Sequence, residues 1–499
     1  MANLLDNAIA AVAPGWAFRR AQSRRALAAY EAASPRRNGG KMRPDNSSAD
    51  LLTLRASGNM RGYARVLEQN HDLASGILDT LVNNVVGANG ISVEPMPRRK
   101  NGELHTEFSK QLLKLWTDFK KRPDVTWEHQ WPQVERLMCR AWMRDGEAFM
   151  QYLEGFIIGL DHGTKVPLSV ELIEADYLPH WYRDDSAGID QSIERNGWGR
   201  ARNYWVLKDH PQGVSFQYGN STDMRRVPAD KMTHLKLVTR FRQSRGVSVF
   251  ATIMIRLENI KDYEESEQIA ARVAAAMCAA IVKGTPDTYV SPETETDREF
   301  KFSPGMVFDN LQEGERVETI QSNRPSGLLG DFRYMMLRAA AAGSKVNFHS
   351  ISKDFNGTYV GLRLAMVDAD SNYKSLTNEF IGSVTQPTYE RFARLAVLSG
   401  AARITADLDM DTLTDAEYFG PRMASADPLK EGRANIEAVQ AGHKSSPQVI
   451  RENGANPDAV MEQSAQWQKN ALDKDLNFTT FNIAPAQEGQ FMDNATTSG

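Results

Sequence analysis

The acidic side chains best suited to chemistry lie in two short runs. Asp145 and Glu147 flank a glycine, and Glu171, Glu174 and Asp176 form the second run. Carboxylate oxygens of this kind could hold a divalent cation, and a nuclease using the second run would be the corresponding enzyme. However, Glu171 and Glu174 lie in a predicted strand and at its exit, without a lysine or histidine at an informative spacing. The sequence therefore predicts no metal site. A nuclease is only the third of the candidate functions that the sequence suggests.

Other catalytic signatures are missing from the sequence. The 9 histidines are scattered, and His162 and His180 have no HxxxH or HxH partner. No GxSxG, P-loop or GxGxxG motif occurs, so the sequence contains no motif typical of acyl-enzyme catalysis or of nucleotide chemistry. Cys139 and Cys278 lack CxxC or CxxH spacing, which favours a reducing, cytoplasmic setting in which both are small core residues. The sequence predicts neither an enzyme nor a cofactor.

A basic, polar loop between two helical patterns is the most distinctive stretch. An alanine-rich helix runs into Gly343, where glycine's tolerance of positive φ predicts a left-handed helix end. A second helix begins near Tyr359. The polar and basic residues between them are Ser344, Lys345, Asn347, His349, Lys353 and Asn356. Taken alone, this stretch could be an ordinary surface loop.

Composition is that of a soluble globular protein of several packed units. The 499 residues are 41% hydrophobic and 24% charged, with a net charge of -4. This near balance argues against a protein that grips nucleic acid by overall positive charge, but allows one that nucleic acid passes. The most apolar run, Ile269 to Val282, carries Arg272 and is shorter than the roughly 20 apolar residues of a membrane span. The N-terminus also lacks the order of a signal peptide. We therefore expect no membrane contact.

Hydrophobic spacing predicts helices followed by a β-rich unit in the first half of the chain. The predicted elements are a helical stretch from Ala49 to Val86, a strand from Gly90 to Pro95, and helices at Glu103–Lys121 and Trp131–Arg144. Between 146 and about 237, short apolar runs separated by glycine, aspartate and asparagine predict an antiparallel, mostly β unit.

The second half is predicted to be mainly helical. No glycine or proline occurs from Val249 to Lys283, which predicts one helix roughly 50 Å long, packed either between subunits or within one domain. Short elements are predicted within 285–324, one of them beginning at Val317. A helix is predicted after Pro325, with an apolar stripe formed by Leu328, Phe332, Met335 and Ala339. The next helix runs to about Ser399 and kinks or restarts at Pro387. Further helices are predicted from Asp427 to Leu472, with interruptions at Gly442 and Asn453-Gly454.

The N-terminal segment is rich in arginine. Between Trp16 and Ala33, the basic residues are Arg19, Arg20, Arg24 and Arg25. They could form an arm that binds nucleic acid, or a solvated amphipathic helix that lies on a neighbour.

From about Trp16 to Gln468 the chain resembles the portal proteins of tailed phages, in the lambda-like family. The most specific part runs from Leu337 to Arg363 and contains the basic loop. Supporting stretches, in chain order, are Arg65–Asn70, Asn84–Gly87, Asp145–Glu147, Ile173–Asp176, Arg245–Ser248, Pro304-Gly305, Gly314-Glu315 and Asp427–Lys430. None is a catalytic signature, so the resemblance rests on their order and coverage.

The resemblance implies an α+β portal fold. Its expected regions are an N-terminal arm and linker (1–48), a mixed α/β wing (49–245), a long stem helix (246–284), a small α/β clip (285–324), a second stem helix (325–342), a tunnel loop (343–358), a helix and connector returning to the wing (359–424), a helical crown (425–475) and a disordered tail (476–499).

The resemblance also implies a function and partners. Portal proteins form a ring, usually dodecameric, at one capsid vertex of the virion, after assembly in the host cytoplasm. Double-stranded DNA passes through the ring without sequence readout, and the six polar loop residues named above would line the channel. The implied protein partners are the terminase large subunit, the major capsid or scaffold protein and a head–tail adaptor. The alternative is a capsid or scaffold self-assembly protein without DNA passage, which a ring with an axial bore would exclude.

Overall fold

The computed structural model describes residues 46–212, 223–275, 279–283, 315–319, 329–422 and 427–474. Its helices are α1 Ala49–Asn70, α2 Asp72–Val85, α3 Thr106–Phe119, α4 Trp131–Asp145, α5 Met254–Ala275, α6 Leu329–Ser344, α7 Phe348–Ser352, α8 Tyr359–Phe380, α9 Gln386–Leu398, α10 Pro428–Gln440, α11 Ser446–Glu452 and α12 Pro457–Leu472. Its strands are β1 Ser92–Pro95, β2 Glu147–Glu154, β3 Leu168–Ile173, β4 Ile189–Asp190, β5 Ile193–Arg195, β6 Ala201–Leu207, β7 Met224–Pro228, β8 Met232–Lys236, β9 Ala279–Lys283, β10 Glu315–Thr319 and β11 Ala416–Phe419. The fold class is α+β, as predicted.

The strands of the described residues form four small sheets, ordered β1-β11, β10-β9, β3-β2-β8 and β4-β5-β6-β7. The chain divides into two compact units. The first contains the residues up to 81, 140–149 and 173–372, and the second contains 82–139, 150–172 and the residues from 373 onward. Each unit is described below by itself.

The first unit contains the four-stranded sheet, which is antiparallel throughout. Its register pairs Ile193 with Tyr204, and Tyr204 with Val227. Alternate residues of the strands point to one face, where they meet Phe149 and Leu178 in a buried apolar cluster. Strands predicted between 146 and about 237 are present as β2, β3, β6 and β8, but that range is divided between the two units.

The helical stretch predicted from Ala49 to Val86 is two helices rather than one. His71 interrupts it, because its backbone is extended, with φ -130°. Its buried Nε2 pairs with the carbonyl oxygen of Leu257 at 2.9 Å. A contact with a residue so distant in sequence leaves no trace in local hydrophobic spacing.

The long helix predicted from Val249 to Lys283 was wrong at both ends. A 3₁₀ turn, Val249–Thr252, precedes α5, and α5 ends at Ala275. The chain then forms strand β9, which pairs antiparallel with β10 and places Ile281 opposite Val317. β-Branched residues such as these suit strands, and the pairing depends on a segment far along the chain. Strand β10 falls on the short element predicted at Val317, whereas the other short elements predicted within 285–324 lie outside the described residues.

The second unit is built around an aromatic core. Trp116 lies with its ring centroid 5.0 Å from Phe392, 5.6 Å from Tyr389 and 5.8 Å from Trp131. These residues come from α3, α4 and α9, and all four are buried. The helices predicted at 103–121 and 131–144 are thereby confirmed. Strand β11, which pairs antiparallel with β1, follows an acidic connector that the sequence did not mark as containing a strand.

The helix break predicted at Pro387 occurs as a π-helical turn, Ile381–Thr385, between α8 and α9. Proline lacks a backbone N–H, so the ordinary hydrogen bond to the preceding turn cannot form. Beside this turn, the fully buried Glu135 accepts hydrogen bonds from Thr385 Oγ1 at 2.5 Å and from Ile91 N at 2.9 Å. Burial raises the pKa of Glu135 to about 7.

The helices α10 to α12 end the described chain. Asp427 caps α10 by accepting from Lys430 N at 3.2 Å. The predicted interruptions are confirmed, since Gly442 and Gly454 adopt φ +73° and +80°. No helix among the described residues is long and apolar enough to cross a membrane. The N-terminal arm, Cys278 and the C-terminal tail lie outside the described residues.

Candidate functional site

The basic loop begins two residues later than its glycine suggested. Helix α6 continues through Gly343, and the first left-handed residue is Lys345, with φ +58°. The predicted left-handed end at Gly343 was therefore wrong. A Cβ at Gly343 would collide with Ile253 Cγ2. The glycine is needed for the close approach of α6 to the turn that precedes α5.

A short helix, α7, occupies the middle of the loop. Asn347 caps it by accepting from His349 N at 2.9 Å. Val346 and Ile351 are buried on its inner side. His349 Nδ1 pairs with the carbonyl oxygen of Asp354 at 2.7 Å, and Lys353 ends the helix with φ +55°. The loop is therefore an ordered, anchored segment rather than an extended strap.

The structure separates the six predicted loop residues into three groups. Lys345, Lys353 and Asn356 are exposed. Asn347 and His349 are half-buried and engaged within the loop, as described above. Ser344 is fully buried, and its hydroxyl donates to Ala340 O at 2.9 Å. The predicted arm residues Arg19, Arg20, Arg24 and Arg25 lie outside the described residues.

An aromatic group and an apolar helix face lie next to this loop. The Arg338 guanidinium lies 4.6 Å from the Tyr334 ring centroid, and that ring contacts Phe348 edge-on at 4.7 Å. Large apolar side chains are exposed along the loop's end and the first turns of α8: Phe355, Val360, Leu364 and Val367, at 65%, 74%, 69% and 61%. A surface of this kind indicates a contact with another protein.

A buried ion pair that sequence analysis did not foresee lies elsewhere in the first unit. Arg245, fully buried, holds Glu147 through Nε at 2.8 Å and Nη2 at 2.7 Å. Its Nη1 donates to the carbonyl oxygens of Leu178 and Gln191 at 2.9 and 3.0 Å. The guanidinium therefore joins β2 to three segments of the unit: those that carry Leu178, Gln191 and Arg245 itself.

His234 completes this cluster. Its Nε2 lies 3.1 Å from Glu147 Oε2, and its ring stacks on Phe149 with centroids 4.2 Å apart. Burial lowers the pKa of His234 to about 4, so the ring is neutral at pH 7. Burial alone would raise the pKa of Glu147, but the Arg245 charge outweighs it and holds that pKa well below its usual range. The cluster is thus a matched carboxylate–guanidinium pair.

Asp145, Glu174 and Asp176 are also paired with an arginine. Arg65 Nη2 lies 2.9 Å from Asp145 Oδ2 and 2.6 Å from Asp176 Oδ2. Glu174, Asp176 and His210 bring possible metal-ligand atoms within 4.8 Å of one another. However, Arg65 lies 2.6 Å from one of these carboxylates and 3.8 Å from the other, so a cation is already supplied by the chain. This arrangement is a structural ion-pair network.

Sequence signals for these pairs did exist. Asp145-Gly-Glu147 and Arg245-Gly246 both place charge beside glycine, and the structure shows why: a Cβ on Gly246 would collide with the Gly146 carbonyl. The backbones approach so closely that only glycine fits. Pairing the two motifs from sequence was not feasible, because Glu147 and Arg245 are separated by 98 positions.

The family is decided by a match to the model for "Phage portal protein, lambda family", which covers residues 35–376. That is more than half of the 499 residues. The chain belongs to the lambda family of phage portal proteins. The matched range includes the basic loop and both arginine–carboxylate clusters, so the portal family's region contains each feature described above.

The chain is also similar to chains in three solved structures, each at 13% identity. In the neck of a native GTA particle computed with C12 symmetry, the likeness covers 79% of this chain and 94% of that one, with a TM-score of 0.40. In the virion of a native gene transfer agent (GTA) particle, it covers 84% and 97%, with a TM-score of 0.43. In the neck of an empty GTA particle computed with C6 symmetry, the values are 79%, 94% and 0.40. No curated protein matches the chain significantly in sequence.

Proposed function

We propose that the chain forms a closed, dodecameric ring at one capsid vertex of a virion, through which double-stranded DNA is packaged and later ejected. Membership of the portal family carries this proposal. The exposed apolar surface of α8 supports it, because such a surface requires a partner and a ring supplies one in the next copy.

The channel contact is assigned to the loop between α6 and α8. Lys345 and Lys353 are exposed at the two ends of α7, and a ring repeats both around its axis. Lysine binds phosphate as a point charge without reading bases. A few such contacts per copy, in a chain with net charge -4, let DNA slide rather than bind tightly, because affinity grows with the number of phosphates neutralised. Of the six loop residues, the buried Ser344 contributes to the loop's fold instead.

The other regions are assigned by the same plan. Helices α5 and α6 form the stem, the segment 285–324 forms the clip, and the helices from residue 427 form the crown. The clip docks the terminase large subunit during packaging and a head–tail adaptor afterwards, while the wing contacts the capsid or scaffold protein. The protein acts as a structural conduit, with no catalytic step of its own.

The loop assignment is tested by the double variant Lys345→Ala/Lys353→Ala. We expect rings of normal size but reduced DNA packaging and weaker retention of packaged DNA, because two cationic contacts per copy are lost. The matched control is Lys114→Ala/Lys165→Ala, which removes two exposed lysines from the second unit and should package normally. Normal packaging by the loop variant would remove these lysines from the mechanism.

A further inference from the structure

Helices α5 and α6 of the first unit run antiparallel. Gly343 of α6 lies against Ile253, and the Arg333 guanidinium pairs with Glu264. The Phe332 and Tyr263 rings lie 4.7 Å apart. These three contacts fix which residues of the two helices stand at the same height. By interpolation, Arg338 stands level with Glu258.

Helix α6 has an inner face and an outer face. Leu337, Ala340 and Ala341 are buried on the inner face. On the outer face, Met335 is 62% exposed, and Arg338 is also exposed. The Arg338 guanidinium carbon lies 4.6 Å from the Tyr334 ring centroid, and the N–H donors of this exposed guanidinium remain able to pair with a carboxylate.

One side of helix α5 is mainly acidic. Glu258, Asp262 and Glu265 are spaced four and three residues apart, which places them on that side of the helix, and the exposed Lys261 at its edge donates to the carbonyl oxygen of Asn70 at 2.7 Å. Glu258 and Glu265 are exposed and Asp262 is half-buried. Exposed Ile269, one turn beyond Glu265, adds an apolar position to the same side. The outer face of α6 and this side of α5 are therefore complementary in charge, and each carries exposed apolar surface.

We infer that the outer face of α6 in one copy packs against the acidic side of α5 in the next copy, with Arg338 pairing with Glu258. The inference rests on the proposed function. A ring needs a heterologous contact, in which two different surfaces meet. If α5 and α6 run along the ring axis as a stem, rotation from one copy to the next preserves height, so residues level within one chain are also level between neighbours. Met335 then loses water against α5 of the next copy.

Charge reversal tests the pair. Arg338→Glu and Glu258→Arg should each reduce the ring fraction at least about tenfold, because like charges facing each other at an interface strongly oppose association. The double variant should restore rings. Arg256→Glu, a reversal of another exposed arginine on α5, is the control and should assemble normally. Mass photometry and negative-stain electron microscopy measure the ring fraction, and thermal unfolding checks that each variant is folded.

Cysteine cross-linking gives a second readout. Arg338→Cys/Glu258→Cys should form disulfides between copies and give a ladder of multimers on a non-reducing gel, whereas Arg338→Cys/Glu107→Cys should not. If the wild type forms rings but this pair gives no ladder, or reversal leaves rings intact, the contact is refuted and the proposed function stands. If the wild type forms no rings at all, the proposed function itself fails.

Discussion

Removing Arg245 should destabilise the first unit more than any exposed arginine would. In Arg245→Met, Glu147 loses its guanidinium partner in a fully buried position, and His234, neutral at pH 7 because burial lowers its pKa to about 4, cannot replace the charge. Breaking a buried ion pair by removing one partner costs about 3–5 kcal/mol. In a unit of this size, such a loss corresponds to a fall in Tm on the order of 10 °C.

Differential scanning calorimetry and urea unfolding measure this loss, and amide hydrogen exchange around Leu178 and Gln191 localises it. The control is Arg183→Met, which removes the partner of Asp185 at 2.7 Å in a pair whose two side chains are both exposed; exposed pairs contribute only about 0–1 kcal/mol. A loss in Arg245→Met no larger than in the control would refute the reasoning that the buried pair stabilises this unit.

Three further outcomes follow from particular side chains. Gly343→Ala should lower the free energy of unfolding by about 1–3 kcal/mol in urea titrations, because the added methyl collides with Ile253 Cγ2; Gly330→Ala, with open space around it, should not. Burial raises the Glu135 pKa to about 7 from its ordinary value of 4.5. Between these two pH values the folded state therefore binds a proton that the unfolded state releases. Stability should therefore fall as pH rises from 4.5 to 7 and level off above, and Glu135→Gln should flatten that dependence; an unchanged slope would contradict the assignment. Cys139 is fully buried, and burial raises the pKa of its thiol, so it should react with a thiol reagent only after unfolding; rapid labelling of the native protein at that cysteine would disprove this.

Local signals predicted the elements whose causes are local. The helices around Trp116 and Trp131 follow three-to-four spacing, and the breaks at Gly442 and Gly454 follow from glycine's freedom to adopt positive φ. The fold class and the family were predicted from the order of many short stretches. Pro387 likewise predicted that the helix kinks or restarts, but not that a π-helical turn would form there.

Long-range contacts produced the errors. His71 breaks a helix because its ring reaches Leu257, and Ile281 adopts a strand because β10 pairs with it. The apolar stripe predicted on α6 is also exposed at Phe332 and Met335 rather than buried within the chain. Hydrophobic spacing shows that a helix has an apolar side, but not which partner covers it. For the candidate site, the sequence predicted the loop's position and its exposed lysines, but not α7 or the burial of Ser344.

Negative-stain electron microscopy of the purified protein, with its solution mass measured alongside, tests most directly whether the chain forms a closed ring with an axial bore. We expect end-on views of rings of about a dozen subunits with a central hole, as closed cyclic assembly of a portal protein requires. Solid particles or sheets without a bore would contradict it and indicate a capsid or scaffold protein instead.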